Sequence, residues 1–240
     1  MRVGVFDSGI GGLTVLKNLY KHYPNNDYIY YGDTLNLPYG SKTKDELNKL
    51  SNQDVEFLLE KEVDLIIIAC GTVSSNCLDY LKSKHQVPIY DIINPTIDYL
   101  NNSSYTNIGI IATERTIDSQ IFKNNLNKNV YEIKTPLLVP IIENNQFDKL
   151  DKVIDNYLKD YANKIDILVL GCTHYPIIKD NINKYLGNKV ELLDMSEPLL
   201  TKLKDDTSSS ITIYFSSLND MIIENTKKIL ELDNLNIYEK

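Results

Sequence analysis

The stretch Ile167-Leu168-Val169-Leu170-Gly171-Cys172-Thr173-His174-Tyr175-Pro176 decides the fold. Its apolar, partly branched run bounded by glycine reads as a buried parallel strand. The switch to polar residues before Pro176 reads as strand end, short turn and helix start. Cys172 then stands at the carboxyl end of a strand, where open α/β sheets hold their ligands. The positive end of the following helix and the nearby His174 would both draw its thiol towards the thiolate. Taken alone, Cys172 reads equally well as a small buried hydrophobe.

Working outward, Asp64-Leu65-Ile66-Ile67-Ile68-Ala69-Cys70-Gly71-Thr72 repeats the pattern, an apolar strand that ends in a cysteine and a threonine before a helix. Cys70 is the twin of Cys172, whereas Cys77, inside the helix that follows, is assigned no function. The opening Val3-Gly4-Val5-Phe6-Asp7-Ser8 is echoed by Ile108-Gly109-Ile110-Ile111-Ala112-Thr113, and the spacing from Val3 to Ile108 nearly equals that from Cys70 to Cys172. Two similar α/β halves follow from this, each with a first-strand loop and a cysteine loop at the carboxyl ends of its strands. Facing one another, they would enclose a cleft with a thiol on each wall.

The other segments fit that frame. Gly9, Gly11 and Gly12 form a strand-to-helix turn that matches neither the dinucleotide fingerprint nor the P-loop, so a nucleotide is not supported, and Asp7 and Ser8 also read as helix caps. Tyr28 to Tyr31 is a strand, Pro38-Tyr39-Gly40 a turn, and Thr43 to Glu60 an amphipathic helix. A strand is expected from Pro88 to Ile93 with a crossover at Asn94-Pro95, a carboxylate at Glu143 after an apolar segment, and a helix from Phe147 to Tyr161. Further strands are expected over 190–194 and 211–215, and a last helix over 219–232.

Composition narrows the partners. The 240 residues carry 25 Lys+Arg against 33 Asp+Glu, a formal net charge of −8, which argues against nucleic acid or an anionic membrane and favours a small ligand. No stretch approaches the length of a membrane span and the chain enters a strand at once, so the cytoplasm is expected. Three cysteines without paired spacing build no disulfide framework. His22, His85 and His174 are scattered and no lysine stands in the motifs, so neither a metal nor a pyridoxal cofactor is expected.

One activated cysteine with a histidine would suit a thiol hydrolase or amidotransferase, but such an enzyme has no use for a second thiol at the equivalent strand end. Two facing thiols suit two bases: removing a hydrogen from one face of a carbon and returning one to the other inverts a stereocentre. Asp7 and His174, or Glu143 acting through His174, would manage the protons of the two thiols.

At these residues the chain resembles the glutamate racemases, cofactor-independent enzymes that make D-glutamate for bacterial peptidoglycan. The resemblance runs through essentially the whole chain, on Val5 to Gly12, Tyr31-Gly32-Asp33-Thr34 with Pro38-Tyr39-Gly40, Ile68 to Thr72, and Leu170 to Pro176. It implies that Cys70, assisted by Asp7, is the base for D-glutamate, and that Cys172, assisted by His174 with Glu143 behind it, is the base for L-glutamate. By the same resemblance Ser8, Pro38, Tyr39, Gly40, Gly71, Thr72, Thr113, Thr116 and Thr173 contact the substrate or shape its site. The implied fold is two pseudo-symmetric, doubly wound parallel-sheet α/β domains with the active site in the cleft between them. The first takes residues 1–93 plus 208–240 and the second 94–207. The resemblance admits a homodimer.

Two residues depart from the family pattern. Gly71 stands where asparagine is usual, which leaves only backbone to hold the substrate's polar groups, and Ala112 stands where glycine is common. Gly71 opens a second reading, a racemase for aspartate or a broader set of amino acids, although His174 stands where aspartate racemases typically carry an acidic residue. A binding or regulatory protein on the same fold is the third.

Overall fold

The computed structural model describes residues 1–240, the side chain of Lys202 aside. Ten strands form two sheets, parallel throughout. The first holds β1 (Arg2–Asp7), β2 (Asp27–Gly32), β3 (Leu65–Ile68), β4 (Ile89–Asp91), β9 (Ser210–Phe215) and β10 (Asn236–Glu239) in the order β10-β9-β2-β1-β3-β4. The second holds β5 (Asn107–Ala112), β6 (Asn129–Lys134), β7 (Ile167–Leu170) and β8 (Glu191–Asp194) in the order β6-β5-β7-β8.

The second sheet therefore repeats β2-β1-β3-β4 of the first, and the register repeats with it. Phe6 pairs with Ile68 in one sheet and Ile111 with Leu170 in the other. Both cysteines follow two residues after the paired strand end. In each half the strand order reverses beside the first strand, which opens a crevice at the carboxyl ends, and it is there that the cysteine loops emerge.

Side chains alternate along the strands and feed different cores. Val3, Val5 and Ile67 of the first sheet join Ile108, Ile110, Ile167 and Val169 of the second in one continuous buried cluster. The helices Leu13–His22 and Ile93–Asn101 contribute Leu16, Leu19, Ile97 and Leu100 to this shared layer. On the outer faces, Phe6, Ile66 and Ile68 pack against helices Lys44–Leu59 and Gly71–Lys84, while Leu168 and Leu170 pack against Leu150–Leu158 and Lys179–Tyr185. Two sheets that share an inner helical layer hold their carboxyl edges at a set separation, which a site between them requires.

Several expected elements differ. β4 ends at Asp91 instead of Ile93, because the Asp91 carboxylate accepts the backbone N–H groups of Ile93 and Asn94, both at 2.8 Å, and turns the chain into a helix. The helix expected from Phe147 is a single 3-10 turn, Phe147–Lys149, followed by an α-helix over Leu150–Leu158. β6 and β10 lie outside the expected strands. Both are edge strands whose alternation is broken by exposed Asn, Lys and Glu, as suits an edge that faces solvent. No described helix is long and apolar enough to cross a membrane.

Candidate active site

A cleft of about 100 Å³ lies between the carboxyl ends of the two sheets, with Cys70 on one wall and Cys172 on the other. Ser8, Pro38, Tyr39, Gly40, Gly71 and Thr72 line it from the first half, and Thr113, Thr173 and His174 from the second.

The two thiols have different surroundings. Cys70 precedes the 14-residue helix Gly71–Lys84, and the backbone N–H of Val73 near that helix start acts on its sulfur. Its Sγ lies 3.8 Å from Ser8 Oγ. Burial pushes the Cys70 thiol up, and the negative charge of Asp7 pushes it further, against the pull of Val73 and Ser8.

Asp7 itself is fully buried behind the wall. Its Oδ2 accepts the N–H groups of Gly9 at 3.1 Å and Gly12 at 3.0 Å, and its Oδ1 accepts the Thr173 hydroxyl at 3.2 Å. The glycine-rich turn thus spends two of its backbone donors on an internal carboxylate.

Cys172 lacks the α-helix start expected beside it. Tyr175–Ile178 is a 3-10 turn and the α-helix begins only at Lys179, so no macrodipole acts on this sulfur at close range. His174 supplies the positive partner instead. Its Nδ1 lies 3.7 Å from Cys172 Sγ and its Nε2 lies 2.5 Å from Glu143 Oε1. Burial alone would lower the His174 pKa. Hydrogen bonds to Cys172 and Glu143 outweigh it and raise the ring well above its ordinary value, which favours an imidazolium.

Glu143 does not line the cleft, and it reaches the site only through His174. Replacing Glu143 by glutamine removes one of the two interactions that raise His174, so the imidazolium is lost at lower pH. The alkaline limb of the kcat/KM profile of Glu143→Gln is expected to move to lower pH, with roughly a tenfold loss at neutral pH, the scale of one charge-assisted hydrogen bond.

Thr116, expected at the substrate, is completely buried and stands one hydroxyl back. Its Oγ1 lies 2.9 Å from Thr113 Oγ1, which in turn lies 3.0 Å from Thr72 Oγ1. This chain of hydroxyls links the two halves across the cleft. Gly71 faces the other half directly, since a Cβ built there would lie 2.9 Å from the carbonyl oxygen of Gly171. The two cysteine loops meet backbone to backbone at this point.

Sequence reasoning missed a further stretch of wall, Thr135, Pro136, Val139 and Pro140, together with Leu37 and Ser41. The paired prolines, Pro136 and Pro140, are the one signal that could have drawn attention to it. It also missed two buried carboxyl groups, Asp33 and Asp54, behind Tyr39.

By sequence the chain belongs to the Asp/Glu/hydantoin racemase family, whose model matches residues 22–200, and it is an isomerase of the racemase class. Glutamate racemase of Aquifex pyrophilus is 40% identical over 243 residues, 97% of this chain and 95% of that protein. The solved structure of that enzyme superposes with a TM-score of 0.86 at 38% identity, covering 99% of this chain and 98% of that one. Glutamate racemase of Francisella tularensis, solved in complex with D-glutamate, superposes with a TM-score of 0.87 at 32% identity over 98% of this chain and 96% of that one.

Proposed function

We propose that the chain is a glutamate racemase that interconverts L- and D-glutamate without a cofactor, by proton transfer between the α-carbon and two cysteines. The observation that carries this reading is the placement of Cys70 and Cys172 at equivalent strand ends on opposite walls of one cleft, the first beside Ser8 and the second beside His174. The relatives' names supply glutamate as the substrate.

In this reading the two thiols divide the two enantiomers between them. Cys172, beside a charged His174, acts as thiolate and removes the α-proton from one face. Cys70, kept neutral by burial and Asp7, delivers a proton to the other. The reverse direction uses the same groups with the proton on Cys172. The α-proton of an amino acid is weakly acidic, so the carbanion-like state needs donors in a dry site. None of the described side chains lining the cleft is lysine or arginine, so substrate carboxylates are met by hydroxyl and backbone donors such as Ser8, Thr72, Thr113 and the N–H of Gly40.

The chain is taken to divide at about residues 93 and 208 into two units that face each other across the cleft. D-glutamate made in the cytoplasm would supply peptidoglycan synthesis.

Gly71 supports a second reading, preference for aspartate or a broader set of amino acids, because this wall offers only backbone where a side-chain amide could hold the substrate. Chiral separation after incubating the purified protein with L-glutamate, and separately with L-aspartate, tests both. D-glutamate alone supports the first reading. D-aspartate as the main product would replace it with the second.

A further inference from the structure

Behind the cleft wall, Tyr39 sits between two buried carboxyl groups. Its hydroxyl lies 2.7 Å from Asp33 Oδ2 and 3.1 Å from Asp54 Oδ2, and all three residues are 2% exposed or less. Asp33 comes from the loop after β2 and Asp54 from the helix Lys44–Leu59. Asn36 Nδ2 also donates to Asp33, at 3.0 and 2.9 Å to its two oxygens.

Counting protons decides the state of this cluster. A tyrosine hydroxyl has one hydrogen to donate. Asp33, at the shorter distance and with a second donor in Asn36, is the acceptor that holds a negative charge. If Asp54 were also ionised, its oxygen would face the lone pairs of Tyr39 with no hydrogen between them, and two like charges would share one buried hydroxyl.

The geometry points to Asp54 as a neutral carboxylic acid that donates its proton to the Tyr39 oxygen while Tyr39 donates to the Asp33 carboxylate. Asp54 is thus a positioning residue that fixes the Pro38-Tyr39-Gly40 wall.

The charged and titratable groups around Asp54 agree. They are Asp33 and Tyr39 of the loop, Tyr31 of β2, Asp7 at the end of β1 and Lys240 beyond β10. Burial pushes the Asp54 carboxyl well above the usual carboxylate range, and the Asp33 charge pushes it further; Tyr39 and Lys240 pull it down without prevailing. The Lys240 ammonium lies over the rings of Tyr31 and Phe57, at 4.9 and 4.6 Å from their centroids.

The consequence for the site runs through Gly40, whose Cα faces Thr113 so closely that an added Cβ would lie 3.0 Å from the threonine Cβ. The turn held by Asp54 therefore spans the cleft to the second half, and losing its anchor should weaken substrate binding more than chemistry.

Two measurements test this, the second of which rests on the racemase reading. In the first, infrared difference spectra of 13C-aspartate-labelled wild type minus Asp54→Asn at neutral pH should contain the C=O stretch of a protonated carboxyl. A spectrum in which only carboxylate bands are lost overturns the proposal whatever the enzyme's substrate. In the second, Asp54→Leu should raise KM for glutamate roughly tenfold with kcat within about twofold of wild type. Asp54→Asn, whose amide also donates to Tyr39, should keep KM within about twofold. Equal KM values for the two variants overturn the positioning role. Absence of glutamate turnover in wild type counts against the racemase reading alone and leaves the infrared spectrum to decide the proton.

Discussion

Replacing Cys70 or Cys172 by serine is expected to lower racemisation by about 10²–10⁴-fold in each case, the range that a positioned acid or base contributes. The side chains are nearly isosteric and both positions are buried, so thermal unfolding should change little and the loss can be assigned to chemistry. A serine hydroxyl is a much weaker acid than a thiol, so neither Val73 and Ser8 at one position nor His174 at the other can bring it near the working range. Near-wild-type turnover in either variant would show that the corresponding wall carries no obligatory proton transfer.

Gly11→Ala is expected to lower kcat about a hundredfold, although Gly11 does not line the cleft. A Cβ at this position would lie 2.4 Å from His174 Nδ1 and 2.6 Å from Thr173 Oγ1. Nδ1 is the atom that faces Cys172, and Thr173 Oγ1 is the donor to Asp7, whose charge acts on Cys70, so one methyl group disturbs the surroundings of both thiols. Overpacking of this kind costs about 1–3 kcal/mol of stability, which denaturant unfolding would measure beside the kinetics. Unchanged kcat in a folded Gly11→Ala protein would mean that the His174 ring can move without harm to catalysis.

Much of this architecture is legible in the chain because its central strands are buried on both faces. Leu65–Ile68 and Ile167–Leu170 are unbroken apolar runs, and each leads into a cysteine. The edge strands Asn129–Lys134 and Asn236–Glu239 are half solvated, so their pattern is diluted by polar residues. Helix propensity also misleads after Cys172, where the backbone first makes a 3-10 turn under Pro176.

At the site, the polar residues that stand next to the strand ends could be read from their place in the chain. Asp54 could not, because it looks like an ordinary helix-surface acid until the helix folds over Tyr39, and the pairing of Asp33 with that tyrosine is equally a product of the fold. The depth of Thr116 is a tertiary property for the same reason, since a helical turn places its hydroxyl behind that of Thr113.

If two different groups handle the proton on opposite faces of the α-carbon, turnover of L-glutamate in heavy water reveals it. With two bases, the hydrogen returned comes from the second, solvent-equilibrated thiol. Early D-glutamate should therefore carry deuterium at the α-carbon while the remaining L-glutamate still carries protium. Early product that retains the substrate's own α-proton would contradict the account, because a single base would then be carrying that proton from one face to the other.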